Sequence, residues 1–391
     1  MSSPSEAPRL PGYVFVDRPD TLRDAAETVE SSRAVAVDTE ADSMHSFFEK
    51  VCLVQLATDA GHAFVVDPLS LGGRQGLAGL GPAFASPSVL KVFHGADFDV
   101  MSLRRDFGYQ FRGIFDTMVA SQLLGDEKLS LRDLVERFFG VTLTKAYTRC
   151  DWGRRPLDEQ QLEYSYHDVA YLVPLMEIQR DRLRERDLVE EAEIEFERLA
   201  RREPASREFD PHDWIRIKGA RDLPPVPQAA LAELFAVRDR HARRMDRPPF
   251  KVVGNDTLLH IASRLPADVE ALRRIKGVSA YVVGRMAREL LAAVEAAKAR
   301  GAPPPRPRPQ MDPEKRMDMN AQRRLGALKD WRNAASARSG RTTLAILPNY
   351  AMFEVARLCP RSAEDLAAIP GVGPKRAALW GTEILSLARG A

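Results

Sequence analysis

One segment of the C-terminal half occurs twice. LPADVEALRRIKGVSAYVVGRMARELL (265–291) is matched by CPRSAEDLAAIPGVGPKRAALWGTEIL (359–385). The match continues upstream, where VVGNDTLLHIASR pairs with LPNYAMFEVARLC and the amphipathic helix Gln228–Arg244 pairs with Gln322–Ala337. A duplication of about 70 residues without strand signal predicts two small all-α modules. Two copies are too few for a solenoid, so each must bury a core of its own. The intervening Gly301–Pro309 (GAPPPRPRP) reads as an extended, semi-rigid spacer.

The first 180 residues follow a different rhythm. Arg33–Asp38, Val51–Ala57, His62–Asp67 and Val89–Phe93 are short β-branched runs, the first three close enough together for an antiparallel meander. Helices are expected at Phe98–Phe107, Leu131–Phe139 and, continuously, Leu157–Arg186, with Ile114–Leu124 a strand leading into a helix. This order predicts a mixed α/β domain, its sheet flanked by helices.

Composition narrows the function classes. No apolar run approaches the roughly 20 residues of a membrane span. The N-terminal MSSPSEAPRLPGYV lacks the basic-then-apolar order of a secretory leader. Cys52, Cys150 and Cys359 lie far apart, which argues against a disulfide framework or a cysteine-built zinc site and points to a reducing cytoplasm. Charge is distributed unevenly: residues 1–200 carry 22 basic and 34 acidic side chains, whereas 201–391 carry 35 and 21. A basic C-terminal half is the pattern of a nucleic-acid partner; the plainer reading makes acidic helices such as Glu190–Glu197 merely solvating.

Four acids stand out. Asp38 and Glu40 end the first strand at i and i+2, so alternation turns them to one face. Asp99 opens the helix after the fourth strand, where Asp97 is the better N-cap and leaves Asp99 free to face elsewhere. Tyr164 and Asp168 share one face of a later helix. Each alone is ordinary: a strand-end turn, a helix-start acid, a buried tyrosine above an exposed aspartate. Together they are the oxygen donors that hard divalent cations require. Two such ions about 3.5–4 Å apart can hold the attacking and departing oxygens of a phosphodiester displacement. A tyrosine one turn from a ligand could orient the water.

The motifs DTE at Asp38–Glu40, H-x-x-x-x-D at His94–Asp99 and Y-x-x-x-D at Tyr164–Asp168 resemble the tyrosine subgroup of the DEDD exonuclease superfamily, in the order and spacing of the ribonuclease D family. VCLVQLAT, HGADFDVMSLRRDFG, DWGRRPLDEQQLEYSYHD and DPHDWIRIKGARDL extend the likeness. The two α modules resemble HRDC domains. The resemblance implies an RNase H-like exonuclease domain at 10–205, a hinge at 206–224, HRDC domains at 225–300 and 321–391, and a linker at 301–320. It also implies a 3′→5′ exoribonuclease using two divalent cations, Mg²⁺ or alternatively Mn²⁺. Asp38, Glu40, Asp99 and Asp168 would hold them, with Tyr164 positioning the water. The implied substrates are tRNA precursors and other small structured RNAs, acted on by a cytoplasmic protein for which a monomer is favoured. Thr148 and Cys150 depart from the family pattern beside the third motif.

His94 and His167 read as structural neighbours of the acids, because a metal supplies hydroxide without an imidazole. Gly371–Arg376 (GVGPKR) resembles a helix-hairpin-helix loop, its glycines admitting a phosphate and Lys375 and Arg376 adding charge; a plain turn is the rival reading. Trp152, Trp214, Trp331 and Trp380 are candidates for base stacking, with core packing the stronger expectation for the last two. The Arg-rich Arg238–Arg247 reads as a solvated face. Two alternatives remain open: a DNA-directed 3′→5′ exonuclease in repair, which no G-x-x-x-x-G-K-[ST] motif accompanies, and a catalytically idle RNA-binding adaptor.

Overall fold

The computed structural model describes residues 12–144, 146–204, 208–303 and 317–390. The Pro-rich spacer expected at Gly301–Pro309 therefore lies largely outside the described residues, as does the N-terminal stretch before Gly12. The chain divides into two compact units, one comprising Met1–Ala41, Val51–Pro204 and Met311–Ala391, the other Asp42–Lys50 and Ala205–Gln310. This grouping differs from the sequence boundaries in two ways. The second α module is part of the same unit as the α/β domain, and nine residues after the first acidic motif belong with the first module.

In the first unit, β1 (Val14–Val16), β2 (Ala34–Ala41), β3 (Val51–Thr58), β4 (Ala63–Val66), β5 (Leu90–Phe93) and β6 (Ile114–Asp116) form one sheet in the order β1-β4-β3-β2-β5-β6. β2–β3 and β3–β4 pair antiparallel, as the meander requires, while β1–β4, β2–β5 and β5–β6 pair parallel. Every residue of β3 is buried, as expected of a strand covered on both faces. Helices α1 (Pro19–Glu30), α2 (Gly81–Ala85), α3 (Asp97–Phe107), α4 (Thr117–Leu124), α5 (Leu131–Phe139), α6 (Glu159–Ala170), α7 (Leu172–Glu185) and α8 (Val189–Ala200) complete the α/β domain. The long helix expected over Leu157–Arg186 is instead α6 and α7, broken at Tyr171, which is buried beside Phe139. β1 has three residues and escaped the sequence pattern.

The second unit holds α9 (Pro225–Arg244), α10 (Pro249–Val252), α11 (Asn255–Arg264), α12 (Val269–Arg273) and α13 (Ala280–Arg300) around its own core. α14 (Met319–Ser339), α15 (Thr343–Ile346), α16 (Asn349–Leu358), α17 (Ala363–Ala367) and α18 (Gly373–Gly390) repeat that order around a separate core in the first unit. The duplication reaches individual atoms. Buried Arg238 donates to the Val253 carbonyl at 3.1 Å and to Asn255 Oδ1 at 2.7 Å. Its counterpart Arg332 donates to the Leu347 carbonyl and Asn349 Oδ1, both at 2.8 Å. The expectation of a solvated face at Arg238–Arg247 holds for Arg240, Arg243, Arg244 and Arg247, which are exposed, and is corrected for Arg238 and His241, which are buried, the Arg238 guanidinium tying the long helix to the next turn.

No helix among the described residues is long and apolar enough to cross a membrane.

Candidate metal centre

β2 lies inside the sheet, paired antiparallel with β3 and parallel with β5. Strand alternation turns Asp38 and Glu40 to one face, opposite Gln55 and Leu53, and the register slips just after Glu40. α6 packs across β2, β3 and β4 and brings Asp168 to the same face. One carboxylate oxygen from each of Asp38, Glu40 and Asp168 lies within 4.8 Å of the others. Asp99, in the first turn of α3, stands at the edge of this trio: it is buried, and its Oδ1 accepts the Thr39 hydroxyl at 2.6 Å.

Burial and mutual repulsion disfavour the charged form of these carboxyls. Burial first, then the charges of Asp99, Asp168 and Glu40, raise the Asp38 carboxyl well above its ordinary range. Burial and the Asp168 and Asp99 charges push Glu40 up to about 9. Burial also raises Asp168, and raises Asp99 against the opposing Thr39 hydrogen bond. An all-oxygen donor set whose members repel one another fits one or more hard divalent cations, which would restore the charged form of every ligand.

Tyr164 sits one turn before Asp168, its ring stacked on buried Trp152 at 6.1 Å between centroids and tilted against Tyr147 at 5.7 Å. Burial and the Asp168, Glu40 and Asp38 charges push its phenol up to about 12, so the hydroxyl stays neutral and able to donate near pH 7. Thr148, one departure from the family pattern, has Oγ1 3.5 Å from the Tyr164 hydroxyl; Cys150, the other, accepts from Gln161 Nε2 at 3.3 Å.

The support beneath Tyr164 was not legible in the sequence. Arg155 binds both oxygens of Asp67, at 2.7 and 2.6 Å, and donates to the Trp152 and Cys52 carbonyls. This fork pins the Trp152 loop against β3. Burial opposes the charged form of Asp67, but the bonds from Arg155 and Ser70 outweigh it and hold the carboxyl below its usual range. A depressed carboxyl contributes stability that is complete above about pH 4 and is lost as pH falls through its folded value. Asp67→Asn is therefore expected to cost about 1–3 kcal/mol at pH 7 in chemical denaturation. That gap should close as both proteins are taken to acid pH; a gap independent of pH would contradict the assignment.

Some expectations need correction and others hold. Asp97 does not cap α3: the N-cap is Ala96, whose N–H, with that of Gly95, is held by Asp116, while Asp97 accepts from Arg202 at 2.6 Å. Trp152 and Trp214 are buried and not free to stack on bases. Trp331 and Trp380 pack edge to face in the second module. His94 is engaged through Nδ1 with Thr117 Oγ1 at 2.9 Å, and His167 lies against the Tyr166 ring.

Lys375 and Arg376 are not placed for phosphate. Arg376 is fully buried, donating to the carbonyls of Gly371, Leu344 and Ala345. The Lys375 backbone N–H, at the start of α18, already donates to Glu190 Oε1 at 2.8 Å, and its ammonium pairs with Glu191 at 3.1 Å. A Cβ on Gly373 would stand 2.6 Å from Ile194, so the loop is closed against α8. Glu191 also receives Arg341, and Glu195 receives the Tyr350 hydroxyl at 2.6 Å. The acidic α8 is a docking face for the second module, and not a solvating surface.

Residues 13–184 match the family model described as 3′-5′ exonuclease, and residues 228–294 and 321–387 each match the HRDC domain. A ribonuclease D from Gluconacetobacter diazotrophicus is 32% identical over 77% of this chain and 79% of its own length. The chain belongs to the ribonuclease D family. Escherichia coli RNase D, described as an exoribonuclease involved in structured RNA processing, shares the fold over 96% of this chain and 98% of its own, with a TM-score of 0.66 at 24% identity. An exosome complex component 10 homologue of Caenorhabditis elegans is 34% identical over 65% of this chain, which spans only 29% of that longer relative. A ribonuclease D from Acidiphilium cryptum, 29% identical, matches over 98% of this chain and so spans the modules as well as the exonuclease domain.

Proposed function

We propose that this protein is a divalent-metal-dependent 3′→5′ exoribonuclease that shortens single-stranded 3′ ends of tRNA precursors and other small structured RNAs. The observation that carries the reading is the convergence of the Asp38, Glu40 and Asp168 oxygens within 4.8 Å. Those three residues and Asp99 would hold the cations, Mg²⁺ or Mn²⁺. Bound there, the cations supply a nucleophilic water at neutral pH and offset charge on the leaving 3′ oxygen.

The chain's own groups do the rest. Thr39 donates its hydroxyl to Asp99 Oδ1 and so fixes that carboxyl in place. Tyr164, neutral and stacked on Trp152, offers a hydroxyl at a fixed place to orient the attacking water. A cavity of about 530 Å³ beside it, lined by Leu143, Tyr147, Gln160 and His167, has room for a nucleotide. A larger cavity of about 630 Å³ borders Asp126, Arg137 and Arg182, whose charges already pair with one another. Carried over from the sequence resemblance, the proposed enzyme is cytoplasmic and monomeric.

Incubating the protein with 3′-extended tRNA labelled at its 5′ end tests the reading. Stepwise shortening that EDTA stops and Mg²⁺ restores is expected; absence of cleavage with either metal would favour the adaptor, and faster loss of matched DNA the repair enzyme. Tyr164→Phe is expected to lower kcat by about 10²-fold, the scale of one positioned hydrogen bond in the transition state. Its Mn²⁺ affinity, measured by titration, should stay within about twofold, because no ligand oxygen is removed.

A further inference from the structure

The nine residues that leave β2 after Ala41 belong to the second unit, and hydrogen bonds pin them there. Phe47 packs on that unit's core beneath the Arg243 guanidinium, 5.4 Å from its ring. The Phe47 and Phe48 N–H groups both donate to Asp246 Oδ1 at 2.9 Å. Asp246 itself has φ +46, a left-handed backbone that a residue other than glycine adopts at a cost, here offset by those two bonds. Lys251 Nζ lies 3.2 Å from His45 Nδ1, so residues 45–48 run along the 246–251 turn.

The purpose of this anchorage is visible in what it leaves outside. Phe48 is 56% exposed, Phe250 48% and Met44 44%, on two segments held side by side. Single exposed apolar residues need no explanation, whereas two exposed aromatic rings on segments bonded to one another do. Phe48 is held edge-on to Phe47 at 5.0 Å, which fixes its plane without covering it. The same two segments carry exposed cations: Arg243 lies over the Phe47 ring, Lys251 neighbours Phe250 in sequence and reaches His45, and Arg247 follows Asp246. Aromatic faces among cations suit one partner chemistry: unpaired bases that stack on the rings while their phosphates meet the charges.

We infer that Phe48 and Phe250 form a stacking platform for unpaired RNA, built jointly by the loop after the metal-bearing strand and the first HRDC module. The inference rests on the proposed exoribonuclease reading, and it places a strand-binding surface where neither motif directed attention. A protein partner would use the same apolar area but would not require π-faces.

The test measures affinity of the full chain in an Asp38→Asn background for a 20-nucleotide unpaired RNA. Phe48→Ala with Phe250→Ala is expected to raise Kd about tenfold or more, since each stacked base carries roughly that factor. Phe48→Trp with Phe250→Trp should bind like the parent, and Phe48→Leu with Phe250→Leu nearly as weakly as the alanine pair. Leu379→Ala, an equally exposed truncation on the second module, should not alter Kd. A blunt RNA duplex, its bases already stacked, should show no difference between parent and alanine pair. Kd within twofold of the parent for the alanine pair, or leucines binding like phenylalanines, overturns the platform. Cleavage by the unsubstituted protein, measured alongside, keeps that failure distinct from failure of the exoribonuclease reading.

Discussion

Asp38→Asn is expected to lower cleavage of a 3′-extended RNA by on the order of 10³-fold or more, because a metal ligand contributes several kcal/mol to the transition state. The same substitution should not destabilise the protein lacking metal. Asp38 is held among Asp99, Asp168 and Glu40, all of which disfavour its charge, so an amide of the same shape relieves repulsion. In EDTA the variant should melt at or above the temperature of the parent. With Mg²⁺ at about 100 times its Kd the parent gains about 2.7 kcal/mol, and the variant gains far less. A variant that melts lower in EDTA would show that Asp38 serves the fold and not a cation. This trade of stability for function is the pattern of a site whose repulsion is maintained for its ligand.

The second large effect lies in the second module. Arg376→Ala removes the donor shared by three carbonyls, two of these bonds fully buried, and leaves a cavity where the buried guanidinium stood. Loss of about 3–5 kcal/mol in chemical denaturation is expected. The salt dependence of RNA binding, measured on Lys375→Ala, should keep its slope, since that ammonium already pairs with Glu191. A slope smaller by about one, with stability intact, would return both residues to the phosphate backbone.

Why the sequence revealed some of this and not the rest has a physical basis. Asp38 with Glu40, and Tyr164 with Asp168, were legible because two-residue and four-residue periods fix a shared face within one element. The antiparallel meander and the duplicated modules were legible for the same reason, since short connections and repeated apolar spacing are local. Asp99 was legible as a residue, but its tether to Thr39 joins positions 60 apart and carries no local mark. Lys375 and Arg376 had the appearance of phosphate ligands because a glycine loop ahead of a basic pair reads alike whichever anion meets it. The anion is Glu190, 185 residues away from Lys375. Arg238 was assigned to a solvated face because charge usually marks the outside, and only its equivalence to Arg332 shows a buried tie used twice. The anchorage of residues 45–48 was hidden because a polar stretch after a strand reads as loop wherever it docks.

Equilibrium titration of the metal-free protein with Mn²⁺, followed by the ion's own paramagnetic signal, tests the central claim most directly. Two ions per chain are expected for the parent protein, with loss of at least one in Asp38→Asn and in Asp168→Asn. Equal stoichiometry and affinity in all three proteins would mean that the gathered carboxylates are not the metal site.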